Sequence, residues 1–210
     1  MNAANAAYPQ SEACSVMVQF FRDNGYYIFR MAATQIAMTV FGLILSAATY
    51  AHDGIFIFSS VLAVCMYLWL LYALCWEVGI KDKVRLDGGR IEYRPLRMLP
   101  AALVANALNL LLNLLSVVGV LFVRDIENAS PMWAATLYKV PHDFFVLIHS
   151  MYGGIIESVL PNKLFPIPNA LLYLVSVAPA LLFTSFGYFM GIHNRTIGSF
   201  FGIKPRFDRR

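Results

Sequence analysis

The chain reads as an all-α integral membrane protein: a bundle of four transmembrane helices plus one short re-entrant or interfacial helix. Three observations lead there. Apolar stretches at Ile28–Tyr50, Ile55–Ile80, Met98–Val123 and Ile167–Ile192 each have the length needed to cross a hydrocarbon core about 30 Å thick, roughly 20 helical residues. Hydrophobic residues make up 59% of the chain and charged residues only 13%, where soluble domains carry about 25% charged residues. Mean hydropathy is +0.62. The basic residues, finally, gather in two segments instead of spreading along the chain.

Those two segments orient the spans. Lys81, Lys83, Arg85, Arg90, Arg94 and Arg97 follow the second span, and Arg195, Lys204, Arg206, Arg209 and Arg210 follow the fourth. Basic residues flanking a span resist translocation, so both segments are expected in the cytoplasm. Residues 1–27 then form a cytoplasmic N-terminal segment, 28–192 the transmembrane domain and 193–210 a basic cytoplasmic tail. The Ala51–Gly54 link and the Arg124–Pro166 segment fall outside. The expected location is the plasma membrane, multi-pass, with both termini cytoplasmic.

The first span follows no charged start with an apolar core, so it is expected to act as an uncleaved anchor. Val16–Phe21 with Tyr26 and Tyr27 suggest a short interfacial helix leading into it. A fifth apolar run, Phe144–Leu160, lies at the bottom of the spanning range of about 17–25 residues. It contains His149, Gly153, Gly154 and Glu157, and Pro141 and Pro161 bracket it, so 144–160 is read as re-entrant or interfacial. Between the second and third spans, Val84–Arg94 alternates charged and apolar residues about Asp87-Gly88-Gly89. Such a turn favours a tight hairpin, read first as part of an ordinary basic inner loop and second as a small docking finger for a partner or anionic headgroups. Cys65 and Cys75, about 15 Å apart on one helix, cannot bridge.

At 100° per residue the small and polar residues of each span fall on one stripe. They are Gln35, Thr39, Gly42, Ser46 and Thr49 in the first; Ser59, Ala63, Met66, Ala73 and Glu77 in the second; Ala102, Asn106, Asn109, Asn113 and Ser116 in the third; and Ser176, Ala180, Thr184, Gly187 and Gly191 in the fourth. Small residues let membrane helices approach closely, and buried amides and hydroxyls bond across the contact. The three asparagines are expensive in lipid unless partnered. They are expected either to bond Gln35, Thr39 or Ser46 and fix helix register, or to line a neutral polar path.

Glu77, a carboxylate on a membrane helix, is a candidate by default. Lys81 stands one turn on and offers an ordinary ion pair. His142, Asp143, His149 and Glu157 cluster in the outer segment, yet no HExxH or comparable ligand spacing is present, so neither a metal nor a cofactor is expected. Asn128-Ala129-Ser130 is formally a glycosylation sequon. The tail aromatics Phe200, Phe201 and Phe207 with their arginines suit the inner leaflet.

No nucleotide loop, dinucleotide glycine pattern or nucleophile elbow is visible. The leading expectation is a non-enzymatic membrane subunit or accessory protein. The alternative is a small transporter or channel with a polar path over Gln35, Asn106, Asn109, Asn113 and Glu77. A membrane-embedded hydrolase using His149 and Glu157 comes third. The expected partners are the lipid bilayer, anionic headgroups at the inner face, and a membrane protein or further copies of the chain. Nucleic acid is not among them.

Overall fold

A computed structural model describes residues 8–123, 131–159, 166–195 and 197, and they are predominantly helical, with no strand among them. Helix α1 spans Tyr8–Thr49, α2 Asp53–Asp87, α3 Met98–Ala105, α4 Ala107–Phe122, α5 Met132–Ile148, α6 Gly153–Val159 and α7 Pro166–Ile192. A 3₁₀ turn, Ser150–Tyr152, joins α5 to α6. Segments Met17–Thr49, Asp53–Asp87 and Val175–Ile192 are long and apolar enough to cross a membrane, and the α3–α4 pair makes a fourth if its two bent halves count as one span.

The chain directions follow from cross-helix contacts. α1 and α2 are antiparallel, since Thr49 hydrogen-bonds Ser59 at 3.0 Å and Arg30 meets Glu77 far down both helices. α4 and α5 are also antiparallel: Phe122 packs on Trp133, and Gly119 lies against the backbone of Tyr138. α7, by contrast, runs parallel to α2. Gly187 sits on Tyr72, and four residues later Gly191 sits on Trp76 and Gly79. Three glycines make this seam. A Cβ on Gly187 would come within 2.6 Å of the Tyr72 carbonyl oxygen, and one on Gly79 within 2.5 Å of the Tyr188 carbonyl oxygen. The small-residue face expected on the fourth apolar stretch is therefore present, with Ser176, Ala180 and Thr184 buried along it.

Several boundaries differ from the sequence reading. α1 begins at Tyr8, so Val16–Phe21 belongs to one continuous helix and not to a separate interfacial one. α2 passes Ile80 and ends at Asp87, with Gly88 as its cap and Gly89 at φ 67°. The inner hairpin is thus absent: the Asp-Gly-Gly sequence stops a helix instead of turning a finger. Pro141 lies inside α5 and does not frame it. The third apolar stretch bends by 58° at Asn106. There the Asn106 side chain donates to the Ala102 carbonyl at 3.0 Å, the same acceptor its own backbone amide uses. A side chain competing for a ladder carbonyl is a recognised cause of helix bending.

The expected α2 face also rotates. Ser59 and Ala63 are buried, but Met66 is exposed and Glu77 half-exposed. The buried row continues instead through Tyr67, Leu71, Cys75, Val78 and Asp82, where α2 turns from α1 toward α7.

The α2–α7 seam yields a direct test. Gly191→Ile forces a branched side chain into the Trp76 backbone and should cost about 1–3 kcal/mol, the usual range for overpacking. Thermal unfolding in detergent should show the loss, while Gly54→Ala, with open space around it, leaves the midpoint unchanged.

Candidate functional site

The polar face of α1 meets the chain between α5 and α6. Thr39 donates its hydroxyl to the Ile148 carbonyl at 2.8 Å, and Ser46 donates to the Ser150 carbonyl at 3.2 Å. Ser150 returns a bond to the Thr39 carbonyl at 3.3 Å. On α2, Ser60 accepts the Gly154 amide at 2.9 Å. Three of these bonds serve backbone groups at the break between α5 and α6, whose last carbonyls and first amides have no helical partner of their own, and the Ser150 hydroxyl ties the turn to α1. Close approach needs glycine on both sides: a Cβ on Gly42 would lie 2.8 Å from the Met151 amide nitrogen, and one on Gly154 would lie 2.6 Å from the Phe56 carbonyl oxygen.

These contacts set the depth of the break. Thr39 lies about 15 Å along α1 from Thr49, at about 1.5 Å per residue. Ser60 is nearly level with Thr49, because Thr49 bonds Ser59. The chain therefore descends through α5 to the middle of α1, turns at Ser150–Tyr152 and is back near its starting end by Gly154. α5 and α6 enter and leave by the same end of the bundle.

A second group of polar residues is buried on three parts of the fold. Asn106, Asn109, Asn113 and Ser116 are buried on the α3–α4 face, Gln35 on α1, and His149 and Ser150 at the turn. Asn106 and Asn109 do not use α1 as expected. Asn109 donates to the Asn106 side-chain oxygen at 3.3 Å, and Asn106 donates within its own helix. Thr39 and Ser46 are committed to the break. Gln35 Nε2, Ser116 Oγ and Tyr152 Oη are buried without a hydrogen-bond partner. Buried polar atoms are nearly always satisfied, so each of these three could accept a water or a polar group of a solute as partner. The available chemistry is that of neutral donors and acceptors.

The outer candidates do not come together. His149 is buried and stacks on Phe145, with ring centroids 4.1 Å apart, and Tyr152 lies on its other flank. Glu157 is exposed on α6, and no hydrogen bond joins it to His149. Among the described residues no cluster of His, Cys, Asp or Glu has the arrangement of a metal site. The sequon, Pro161, Lys163 and the tail from Gly198 onward lie outside the described residues.

At the opposite end, Glu77 pairs with Lys81 at 2.7 Å and with Arg30 at 3.2 Å. With its side chain 44% exposed, it is an open ion pair between α1 and α2, away from the polar cluster. The carboxylate that sequence reading missed is Asp82. It is 2% exposed, accepts from Arg97 at 2.5 Å and from the Tyr188 hydroxyl at 3.1 Å, and faces Arg85 at 3.6 Å. It thus ties α2, the start of α3 and α7 together. Trp76 adds a bond to the Arg195 carbonyl at 2.8 Å. A signal for Asp82 existed: continuing the α2 helix past Ile80 places it one turn beyond Val78 and Gly79, on the buried face.

Comparisons with protein-family models, curated proteins and solved structures give no match to this chain.

The two carboxylates should respond differently to neutralisation. Asp82→Asn leaves a largely buried guanidinium without its counter-charge, and removing one partner of a buried pair costs about 3–5 kcal/mol. Glu77→Gln removes an exposed pair, typically about 0–1 kcal/mol. Unfolding midpoints of the two variants, measured side by side in detergent, should rank in that order.

Proposed function

We propose that this is a multi-pass plasma-membrane protein that passes small, uncharged polar solutes, with the cluster around the α5–α6 turn as its binding point. Both termini lie in the cytoplasm in this reading, which the basic residues of the α2–α3 connection and the tail support. The observation that carries the reading is the turn itself, a break in α-helical backbone held at mid-bundle by α1 and α2, in a bundle that also buries a row of carboxamides on α3 and α4. Irregular backbone at membrane depth is tolerated where protein or a water-lined cavity surrounds it. Discontinuous helices of this kind commonly hold the substrate site of transporters. The lining of Gln35, Asn106, Asn109, Asn113, Ser116 and Ser150 offers hydrogen bonds and no carboxylate. That favours neutral polar molecules over ions. Glu77, exposed at one end, lies outside the path.

The subunit or accessory role is the second reading, and α1 favours it. Its apolar side chains Met17, Val18 and Phe21 are exposed well beyond the level of the Arg30–Glu77 pair. At about 1.5 Å per residue, Met17 to Thr49 extends well past a hydrocarbon core of about 30 Å. Such a face suits a partner helix or a further copy of the chain.

The solute path is tested in liposomes containing the purified protein, by stopped-flow light scattering with water, urea and glycerol as probes. Permeability to at least one probe should exceed that of empty liposomes. Asn109→Leu should remove most of that excess while the unfolding midpoint stays within about 1 kcal/mol of the parent, a conservative allowance for one buried contact in a membrane bundle. No excess permeability to any probe would exclude the path, and a folded, fully active Asn109→Leu variant would exclude the site. The sidedness is checked separately: a reporter fused after Arg210 should be active only in the cytoplasm.

A further inference from the structure

The cytoplasmic-side end of the bundle holds two joined cavities of opposite character. One, of about 760 Å³, is lined by Arg22, Arg85, Arg94 and Arg97 with Asp23 and Glu92. The other, of about 710 Å³, has an apolar wall of Phe20, Tyr93, Pro95, Leu96 and Pro100. Asp23, Arg94 and Arg97 line both, so the two spaces are continuous. α1 forms one wall and the turn leading into α3 the other.

The arginines are only partly engaged. Arg97 and Arg85 face the buried Asp82, which sits behind the cavity wall. Arg94 meets Glu92 at 3.3 Å, with side-chain exposures of 74% and 85%, and Arg22 stands 4.0 Å from Asp23. Four guanidiniums therefore face three carboxylates, and two of those carboxylates are solvent-exposed. Each guanidinium has five N–H donors in a planar fork, so most donors remain available. Exposed ion pairs are weak and exchange readily for a better anion. A phosphate group accepts from several arginines at once, in bidentate fashion.

The apolar cavity narrows the choice among phosphate-bearing anions. Leu96, Pro100 and Leu103 are exposed and follow one another up one side of α3 from the arginine cleft toward the apolar spans. A soluble anion has no use for that strip. A molecule with a phosphate head and a hydrocarbon chain would cover both surfaces. We infer that this double cavity is a binding site for an anionic phospholipid, its headgroup phosphate held by Arg22, Arg94 and Arg97 and one acyl chain lying along Phe20, Leu96, Pro100 and Leu103. The inference rests on the membrane placement proposed above and is independent of the solute path.

Native mass spectrometry of the full-length protein, released from mixed phosphatidylglycerol and phosphatidylcholine, reads the site directly. The parent should retain phosphatidylglycerol in preference. A basic residue near an anionic lipid surface contributes about fivefold, so Arg94→Gln should lower the retained fraction about fivefold and the Arg22→Glu, Arg94→Glu pair at least about 25-fold. Lys139→Glu, on exposed α5 at the other end, should retain it as the parent does. Unfolding midpoints in pure phosphatidylcholine should match for all variants, because the substituted arginines make only exposed pairs. Equal retention by the parent and the double variant would overturn the site. Arginine-dependent binding of soluble glycerol phosphate without phosphatidylglycerol retention would overturn the lipid assignment and leave a soluble phosphoanion site. A protein that stays monodisperse without detergent would overturn the membrane placement as well, and is told apart by that alone.

Discussion

A helix cannot stop in the middle of an apolar bundle without leaving carbonyls and amides unpaired, and the α5–α6 break does so about 15 Å along α1 from its Thr49 end. Each such group costs several kcal/mol in hydrocarbon. The surrounding helices are built around this problem. Thr39 and Ser46 on α1 take the carbonyls of Ile148 and Ser150, and Ser60 on α2 takes the amide of Gly154. Those hydroxyls reach only because Gly42 and Gly154 allow backbone against backbone. α1 thus has two duties on one face: small residues for approach and hydroxyls for capping. Their alternation along the helix is what gives that stripe its composition.

That alternation explains how much could be read from sequence. The spacing of Gln35, Thr39, Gly42, Ser46 and Thr49 identifies the inward face correctly, and so does the Ala102 to Ser116 row, because both depend only on helical geometry. Which face meets which is a different question. Sequence alone pairs the asparagines with α1 because both faces are polar, whereas α1 is occupied by the break, whose need for hydroxyls has no local sequence signal. Helix ends depart from the apolar stretches for a related reason. Hydropathy marks where lipid stops, while a helix continues as long as its backbone is satisfied. α2 therefore runs on to Asp87, and Asp82, hidden within a run of basic residues, turns onto the buried face. The bend at Asn106 was likewise invisible, since a carboxamide bonding within its own helix has the same spacing as one bonding across.

The parallel α2–α7 pair follows from the same break. Had α5 and α6 continued across the bundle, α7 would have to run back along α2 in the opposite sense. Because the chain returns to the end it came from, α7 starts beside the start of α2 and travels with it. Parallel neighbours then bring like ends together. The polar residues at the ends of α2 and α7 meet, and Tyr188 reaches Asp82 while Trp76 reaches the Arg195 carbonyl. Arg97, at the start of α3, completes the set by neutralising the carboxylate.

The bundle is consequently held unevenly. At the basic end, backbone contacts between glycines and a buried carboxylate–guanidinium pair lock α2, α3 and α7, and breaking such a pair costs about 3–5 kcal/mol. Toward the other end, α5 and α6 are held by the close backbone contacts at Gly42, Gly119 and Gly154 and by hydroxyl-to-backbone bonds, each bond contributing about 0.5–1.5 kcal/mol net. A solute hydroxyl reaching the turn would be able to replace Thr39 or Ser46 at the same carbonyl. In the proposed reading, a polar molecule entering the cluster would supply the very groups whose loss resists movement of α5 and α6. Solute entry and loosening of the re-entrant pair are then one event, while the Asp82 end stays fixed as the frame against which it occurs.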